Sequence, residues 1–184
     1  MTAVIIIIVI VVALVLWGIS AQNSLVKLDE LSKNALKQIG VQQQSRYDAL
    51  KALVQTARES IEAEGGQMQD ILANRRPSAG NTPADINANE SLLTDIATKF
   101  MAVVEAYPQL TTASNYAKLM DEVKSYEEKV RLSRMTYNDT VTKYNNQVRM
   151  FPGSIVASIL HFPAKEYLEE DKSKAEYPDI FEKK

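Results

Sequence analysis

Apolar positions divide the chain into one stretch that is apolar on every side and several that are apolar on one side only. The first is Ala3 to Ile19, AVIIIIVIVVALVLWGI, with no charged residue and one glycine. At a helical rise of ~1.5 Å per residue it covers roughly 25 Å, within reach of a ~30 Å hydrocarbon core. No other segment is comparably apolar, so a protein core has little with which to surround it. The reading is a retained membrane anchor, residues 1–22, touching the lipid bilayer through residues 3–19. A cleaved signal peptide is the competing reading, because Gly18-Ile19-Ser20 supplies a small-x-small site. Against it, no basic residue precedes the run, and the run is longer than the ~7 to 15 residues of a signal h-region. Lys27, Lys33 and Lys37 follow the run. By the positive-inside rule they predict a short N-terminus outside and the body in the cytoplasm.

The one-sided stretches have helical period. Leu25, Leu28, Ala35, Ile39, Leu50, Leu53, Ala57 and Ile61 recur at three- and four-residue intervals or their sums, one face of a helix of about ten turns. Gln42, Gln43, Gln44, Ser45 and Arg46 interrupt that face. Gly65-Gly66 ends or weakens the helix, since two glycines cost roughly 2 kcal/mol relative to alanine. Met68, Ile71 and Leu72 predict that it resumes to about Arg75, before a loop from Arg76 to Asp85. A second helix is announced by Thr82-Pro83-Ala84-Asp85, a capping hydroxyl, a proline at the first position and an acid in the first turn. Asn87 with Glu90 offers a later start. Leu92, Leu93, Ile96, Phe100, Val103 and Tyr107 mark its buried face, and Pro108 stops it. The last long helix carries Tyr116, Met120, Val123, Val130, Tyr137, Val141, Tyr144, Val148 and Phe151, and ends at Pro152-Gly153.

Stripes of this kind bury themselves only against each other. The predicted fold is therefore all-α, an antiparallel up-and-down bundle of three to four helices over residues 23–163, preceded by one transmembrane helix. Ser154 to Leu160, apolar on nearly every side, either caps the open end of the bundle or lies in the membrane interface as a second, shallow contact. Residues 164–184 read as a charged, loosely ordered tail.

Charge and composition narrow the chemistry. Lys+Arg total 21 and Asp+Glu 23, interspersed, which leaves no basic stripe for nucleic acid. The absence of cysteine removes disulfides, thiolate nucleophiles and thiolate metal ligands. The one histidine, His161, has no second histidine with which to bind a metal. Asp29-Glu30, Glu127-Glu128 and Glu169-Glu170-Asp171 are adjacent carboxylates, which diverge on a helix instead of converging on one proton. With no phosphate loop and no nucleophile elbow, the expectation is a non-enzyme with no catalytic residue, cofactor or metal.

One motif stands out. Tyr137-Asn138 and Tyr144-Asn145 lie seven residues apart, so both tyrosines face one way and both asparagines lie one step round. Packing is the leading reading, with buried rings, bonded hydroxyls and asparagines that satisfy neighbouring polar groups. A ligand face shared with Gln42 to Arg46 is the alternative. Glu127 and Arg134 fall in gaps of the same stripe, with Arg46 and Glu105 as candidate partners on other helices. Such a network fixes helix register more than it adds stability, because desolvation offsets most of the attraction.

Leu25 to Phe162 resembles the LemA family in LVKLDE at 25–30, QQQSRYDAL at 42–50, EAYPQL at 105–110 and YNDTVTKYNNQVRMFP at 137–152. Gly65-Gly66 departs from the family's pattern. The resemblance implies a single-anchor bacterial membrane protein with a helical-bundle body and no established molecular function. Two roles compete for it: a protein-interaction scaffold at the cytoplasmic membrane, partnered by another membrane or membrane-associated protein, and a ligand-sensing module built on the Tyr/Asn face. A pocket predicts those residues in a concave, wetted cluster. A scaffold predicts them packed, with exposed apolar surface elsewhere. Self-association through the anchor lacks a GxxxG motif, and the sequence sets no oligomeric state.

Overall fold

Helix α1 runs unbroken from Thr2 to Ser60, 59 residues or about 90 Å of helix, in a computed structural model that describes residues 1–60, 71–72, 76–112 and 115–169. The anchor and the first body helix are therefore one element, where the sequence suggested two. Ser20 to Ser24 contain neither glycine nor proline, so no residue there breaks the helix. The side chains of Val4 to Leu16 stand clear of the rest of the protein. A bilayer is the solvent that suits them, and the span enters the body with no hinge.

Helix α2 spans Pro83–Ala106, so the start signalled at Thr82 to Asp85 and the stop at Pro108 are used and the later start at Asn87 is not. Thr82 is the N-cap: the Asp85 N–H donates to Thr82 Oγ1 at 3.1 Å, and the Thr82 N–H donates to the Asp85 carboxylate at 3.1 Å. Tyr107 caps the other end ahead of Pro108, which opens a short 3-10 turn, Pro108–Thr112. Helix α3 spans Tyr116–Arg149 and the short helix α4 spans Gly153–Ile159.

Contacts set the directions. Gln43 and Arg46 of α1 meet Ile86 and Glu90 of α2 in the same order, so these helices run the same way. Helix α3 opposes both, since Leu25 packs near Tyr144 and Arg46 pairs with Glu127. Between α1 and α2, Ile71 is buried in the core. Gly65-Gly66 and most of the predicted helical resumption lie outside the described residues.

Three apolar clusters stack along α1. The far one holds Leu50, Leu53, Leu93, Ile96, Phe100 and Val123; the middle one holds Leu36, Ile39, Ile86, Val130, Tyr137 and Val141; the one nearest the anchor holds Leu25, Tyr144, Val156 and Ala157. Helix α4 thus caps the bundle through Val156 and Ala157, while its Ile155 and Ile159 are exposed. Phe151, assigned to the buried stripe of α3, is instead 80% exposed, because the helix ends at Arg149 and the chain turns away.

Two backbone details carry stability. The loop before α2 crosses α1 where Gly40 meets Gly80, and Gly80 has φ +67. A Cβ on Gly80 would lie 2.9 Å from the Gly40 Cα and 2.9 Å from a methyl of Ile86. At the end of α4, the Phe162 N–H donates to the Ala157 carbonyl at 2.9 Å and the His161 N–H to that of Ser158 at 3.4 Å. This Schellman closure places His161 at φ 58, a position that favours glycine. Opposite outcomes follow. Gly80→Ala combines a left-handed conformation, worth roughly 1–2 kcal/mol, with backbone overlap, and should destabilise by at least ~2 kcal/mol. His161→Gly relieves strain at an exposed site and should be neutral or stabilising by up to ~1 kcal/mol. Chemical denaturation of both variants in detergent or lipid checks the pair.

Candidate functional site

The Tyr/Asn motif meets the chain's own C-terminal segment. Successive tyrosines and asparagines lie seven residues apart on α3, a rise of ~10.5 Å. Three residues of extended chain cover ~10 Å. Residues 163–169 lie extended and antiparallel to α3 in this register. The Tyr144 hydroxyl donates to the Pro163 carbonyl at 3.0 Å, and the Tyr137 hydroxyl to the Glu166 carbonyl at 2.9 Å. Asn145 grips both backbone groups of Lys165: its Nδ2 donates to the carbonyl at 2.9 Å and its Oδ1 accepts the N–H at 2.8 Å. Asn138 does the same to Leu168, at 3.2 and 2.9 Å. Arg134 completes the row by donating to the Glu169 carbonyl and, at 3.3 Å, to Asn87 Oδ1 on α2.

Side chains of this strap bind it further. Leu168 is buried in the middle cluster. Lys165 Nζ lies 2.6 Å from the Asp29 carboxylate on α1 and 5.1 Å from the Tyr144 ring centre. Residues 164–169 are therefore held, correcting the loose tail expected from residue 164; residues 170–184 lie outside the described residues.

Electrostatics follow from this packing. Burial, with the Glu166 charge behind it, pushes the Tyr137 hydroxyl above its ordinary pKa, and burial with the Asp29 charge does so for Tyr144. For Asp29, partial burial works upward, but hydrogen bonds and charge from Lys165 and Lys33 outweigh it and hold the carboxyl below its ordinary value.

A second polar group sits between the far and middle clusters, where Gln42 to Arg46 interrupt the apolar face. Gln43 and Arg46 are buried, together with Asn89 of α2. Gln43 Nε2 donates to the Ile86 carbonyl at 3.0 Å and to Glu90 at 3.2 Å. Asn89 Nδ2 donates to Gln43 Oε1 at 3.2 Å, and Asn89 Oδ1 accepts the Ser78 N–H at 2.7 Å. Arg46 pairs with Glu90 at 2.7 Å and with Glu127 of α3 at 3.5 Å. The expected Arg46–Glu127 contact thus exists, whereas Glu105 stands exposed near the far end of α2. Sequence reasoning picked out Gln43 and Arg46 as part of the polar interruption of α1 but missed Glu90 and Asn89 as their partners in this layer. The signal available for Glu90 was its helical spacing from Ile86 and Leu93, which turns it toward α1.

A groove of about 410 Å³ opens between α1 and the end of α3, lined by Trp17, Ser20, Ser24, Gln147, Met150 and Phe151 among others. Gln147 Nε2 donates to Ser24 Oγ at 2.9 Å, and its Oε1 is buried without a partner among the described residues. No three His, Cys, Asp or Glu side chains gather as metal ligands among the described residues.

The LemA family model matches residues 35–181. This chain belongs to the LemA family. The match begins beyond the anchor and takes in both halves of the clamp, the α3 motif and the strap. The chain is also similar to the magnetosome proteins MamQ 1 and MamQ 2 of Paramagnetospirillum magneticum, 27% identical over 121 residues, which is 61% of this chain and 44% of theirs. MamQ of Magnetospirillum gryphiswaldense is 26% identical over 122 residues, 45% of its length. The chain therefore spans less than half of these relatives. Together with the apolar N-terminal helix, these likenesses make it a membrane-associated helical protein of the LemA family.

Two results follow for the clamp. Asn138→Ala and Asn145→Ala each remove two hydrogen bonds to partly buried backbone, so each should cost ~1–3 kcal/mol and speed limited proteolysis near residues 163–169. Cleavage mapping by mass spectrometry reads this. Asp29 has a depressed folded pKa, so its contribution is present above its ordinary value of 3.8 and is lost as pH falls through the lower folded value. Thermal unfolding of the wild type and Asp29→Asn should therefore differ at pH 7 and converge as the pH falls through the depressed folded value of Asp29.

Proposed function

We infer that this protein is a membrane-tethered interaction scaffold, non-enzymatic, that holds its helical body at a fixed height over the bacterial cytoplasmic membrane. The N-terminus lies outside and the body in the cytoplasm, as Lys27, Lys33 and Lys37 favour. The observation that carries this reading is the occupancy of the Tyr/Asn face. Tyr137, Tyr144 and Asn145 are 1–2% exposed and spend their polar groups on the strap, which leaves that face no room for a soluble ligand. Apolar side chains stand exposed elsewhere, among them Leu132 and Met135 on α3. Unbroken α1 fits a spacer, since it transmits the position of the span to the body without a hinge. The relatives' names describe components of a cellular structure, the magnetosome, which supports a structural or interaction role.

Cross-linking of the full-length protein in native membranes, followed by affinity capture, tests this. A membrane-protein partner should be recovered reproducibly, and Leu132→Asp with Met135→Asp should reduce its recovery several-fold while leaving the fold intact by circular dichroism. Recovery of the protein alone, from wild type and variant alike, contradicts the scaffold.

A further inference from the structure

The end of the bundle nearest the anchor carries an apolar surface that the scaffold reading leaves unused. Met150 and Phe151, at the turn after α3, and Ile155 and Ile159, one turn apart on α4, are all exposed. Their place along α1 is set by the groove in which Met150 and Phe151 meet Trp17, Ser20, Ala21 and Ser24. A helix entering hydrocarbon at Thr2 needs about 20 residues at ~1.5 Å each to cross ~30 Å, which brings the far boundary to about Ala21. Headgroups extend ~5–7 Å beyond it, through Ser24 and Leu25. Phe151 and Met150 therefore stand level with the acyl–headgroup boundary, beside a tryptophan of the kind that favours that depth.

We propose that the turn after α3 and the outer face of α4 dip into the same bilayer leaflet from which α1 emerges, giving the body a second, interfacial attachment. The occupant of this surface is lipid because the surface is continuous with the spanning segment. Its inner side, Val156 and Ala157, is already committed to Leu25 and Tyr144, so only the outer side is free to enter the membrane. Basic residues fit the headgroup level: Lys27, two residues beyond Leu25 on α1, and Arg149, which precedes Met150 at the end of α3, are both exposed. The groove is mainly apolar, and the few polar groups in it, with Gln147 Oε1 unpartnered among the described residues, suit water or headgroup donors at that depth. Two attachments, one spanning and one lying flat, fix the tilt and rotation of the body, which a single helix leaves to the bilayer. The inference rests on residues 3–19 spanning the membrane and is independent of any protein partner.

The chain has no cysteine, so single cysteines give unique labels. Full-length Phe151→Cys and Ile159→Cys, each carrying an environment-sensitive fluorophore, are reconstituted in phosphatidylethanolamine–phosphatidylglycerol vesicles containing lipids brominated high on the acyl chain. Met135→Cys reports the body away from the membrane, and Val11→Cys, near the bilayer midplane, reports the span in parallel vesicles whose lipids are brominated near the end of the acyl chain. The labels at 151 and 159 should be blue-shifted and quenched several-fold more than the label at 135. Quenching at 11 with the labels at 151 and 159 as unquenched as at 135 overturns the attachment and leaves the patch to a protein. Absence of quenching at 11 overturns it as well, through the span on which it depends.

Discussion

Seven residues of α-helix and three residues of extended chain cover nearly the same distance, ~10 Å. A side chain repeated every seven positions on α3 therefore meets every third residue of a strand laid along it. The hydroxyl row reads Pro163 and Glu166; the amide row reads Lys165 and Leu168. Asparagine suits the amide row because its side chain repeats the donor and acceptor of a peptide group, so it pairs with backbone as a neighbouring strand does. The strap thus obtains sheet-like bonding from a helix. Without it, the rings of Tyr137 and Tyr144 would lose the partners of their buried hydroxyls, and the middle cluster would lose Leu168.

The rest of the body is arranged around α1. Its apolar face serves three clusters in succession, and Gln43 and Arg46 mark the boundary between two of them. Arg46 is paired to α2 and α3 at once, a three-way contact that a sliding helix would break. Its value lies in register, since the desolvation of a buried guanidinium offsets most of its attraction to the carboxylates. The Gly40–Gly80 crossing plays the same part for the loop ahead of α2. A glycine inside α1 costs ~1 kcal/mol in helix propensity, and the close approach of the loop backbone is what it makes room for.

The sequence displayed the helices well because period and caps are local. Thr82, Pro83, Asp85 and Pro108 each act within a turn of themselves, and each placed a helix end correctly. It showed that Tyr137 and Tyr144 share a face and favoured packing for them. What they pack against was not legible, because the strap is recognised through its backbone and side-chain pattern records no backbone contact. Charge misled at the same place: Lys165 and Glu166 read as tail, although Lys165 is tied to Asp29 and Glu166 needs only its carbonyl. Ionic pairing was half legible. Glu127 met Arg46, while Glu105 was too far along α2 to reach it. Gly40, alone within a helical stripe, was the available sign of a close crossing.

The strap is the claim on which the reading of the Tyr/Asn motif as internal structure rests, and amide hydrogen exchange of Lys165 and Leu168 in the native protein tests it most directly. Both N–H groups donate to asparagine oxygens, at 2.8 and 2.9 Å. Their exchange should be slowed by several orders of magnitude, close to that of α3 amides. Exchange at the rate of an unstructured peptide would show the face to be open, and would return Tyr137, Asn138, Tyr144 and Asn145 to the role of a binding site.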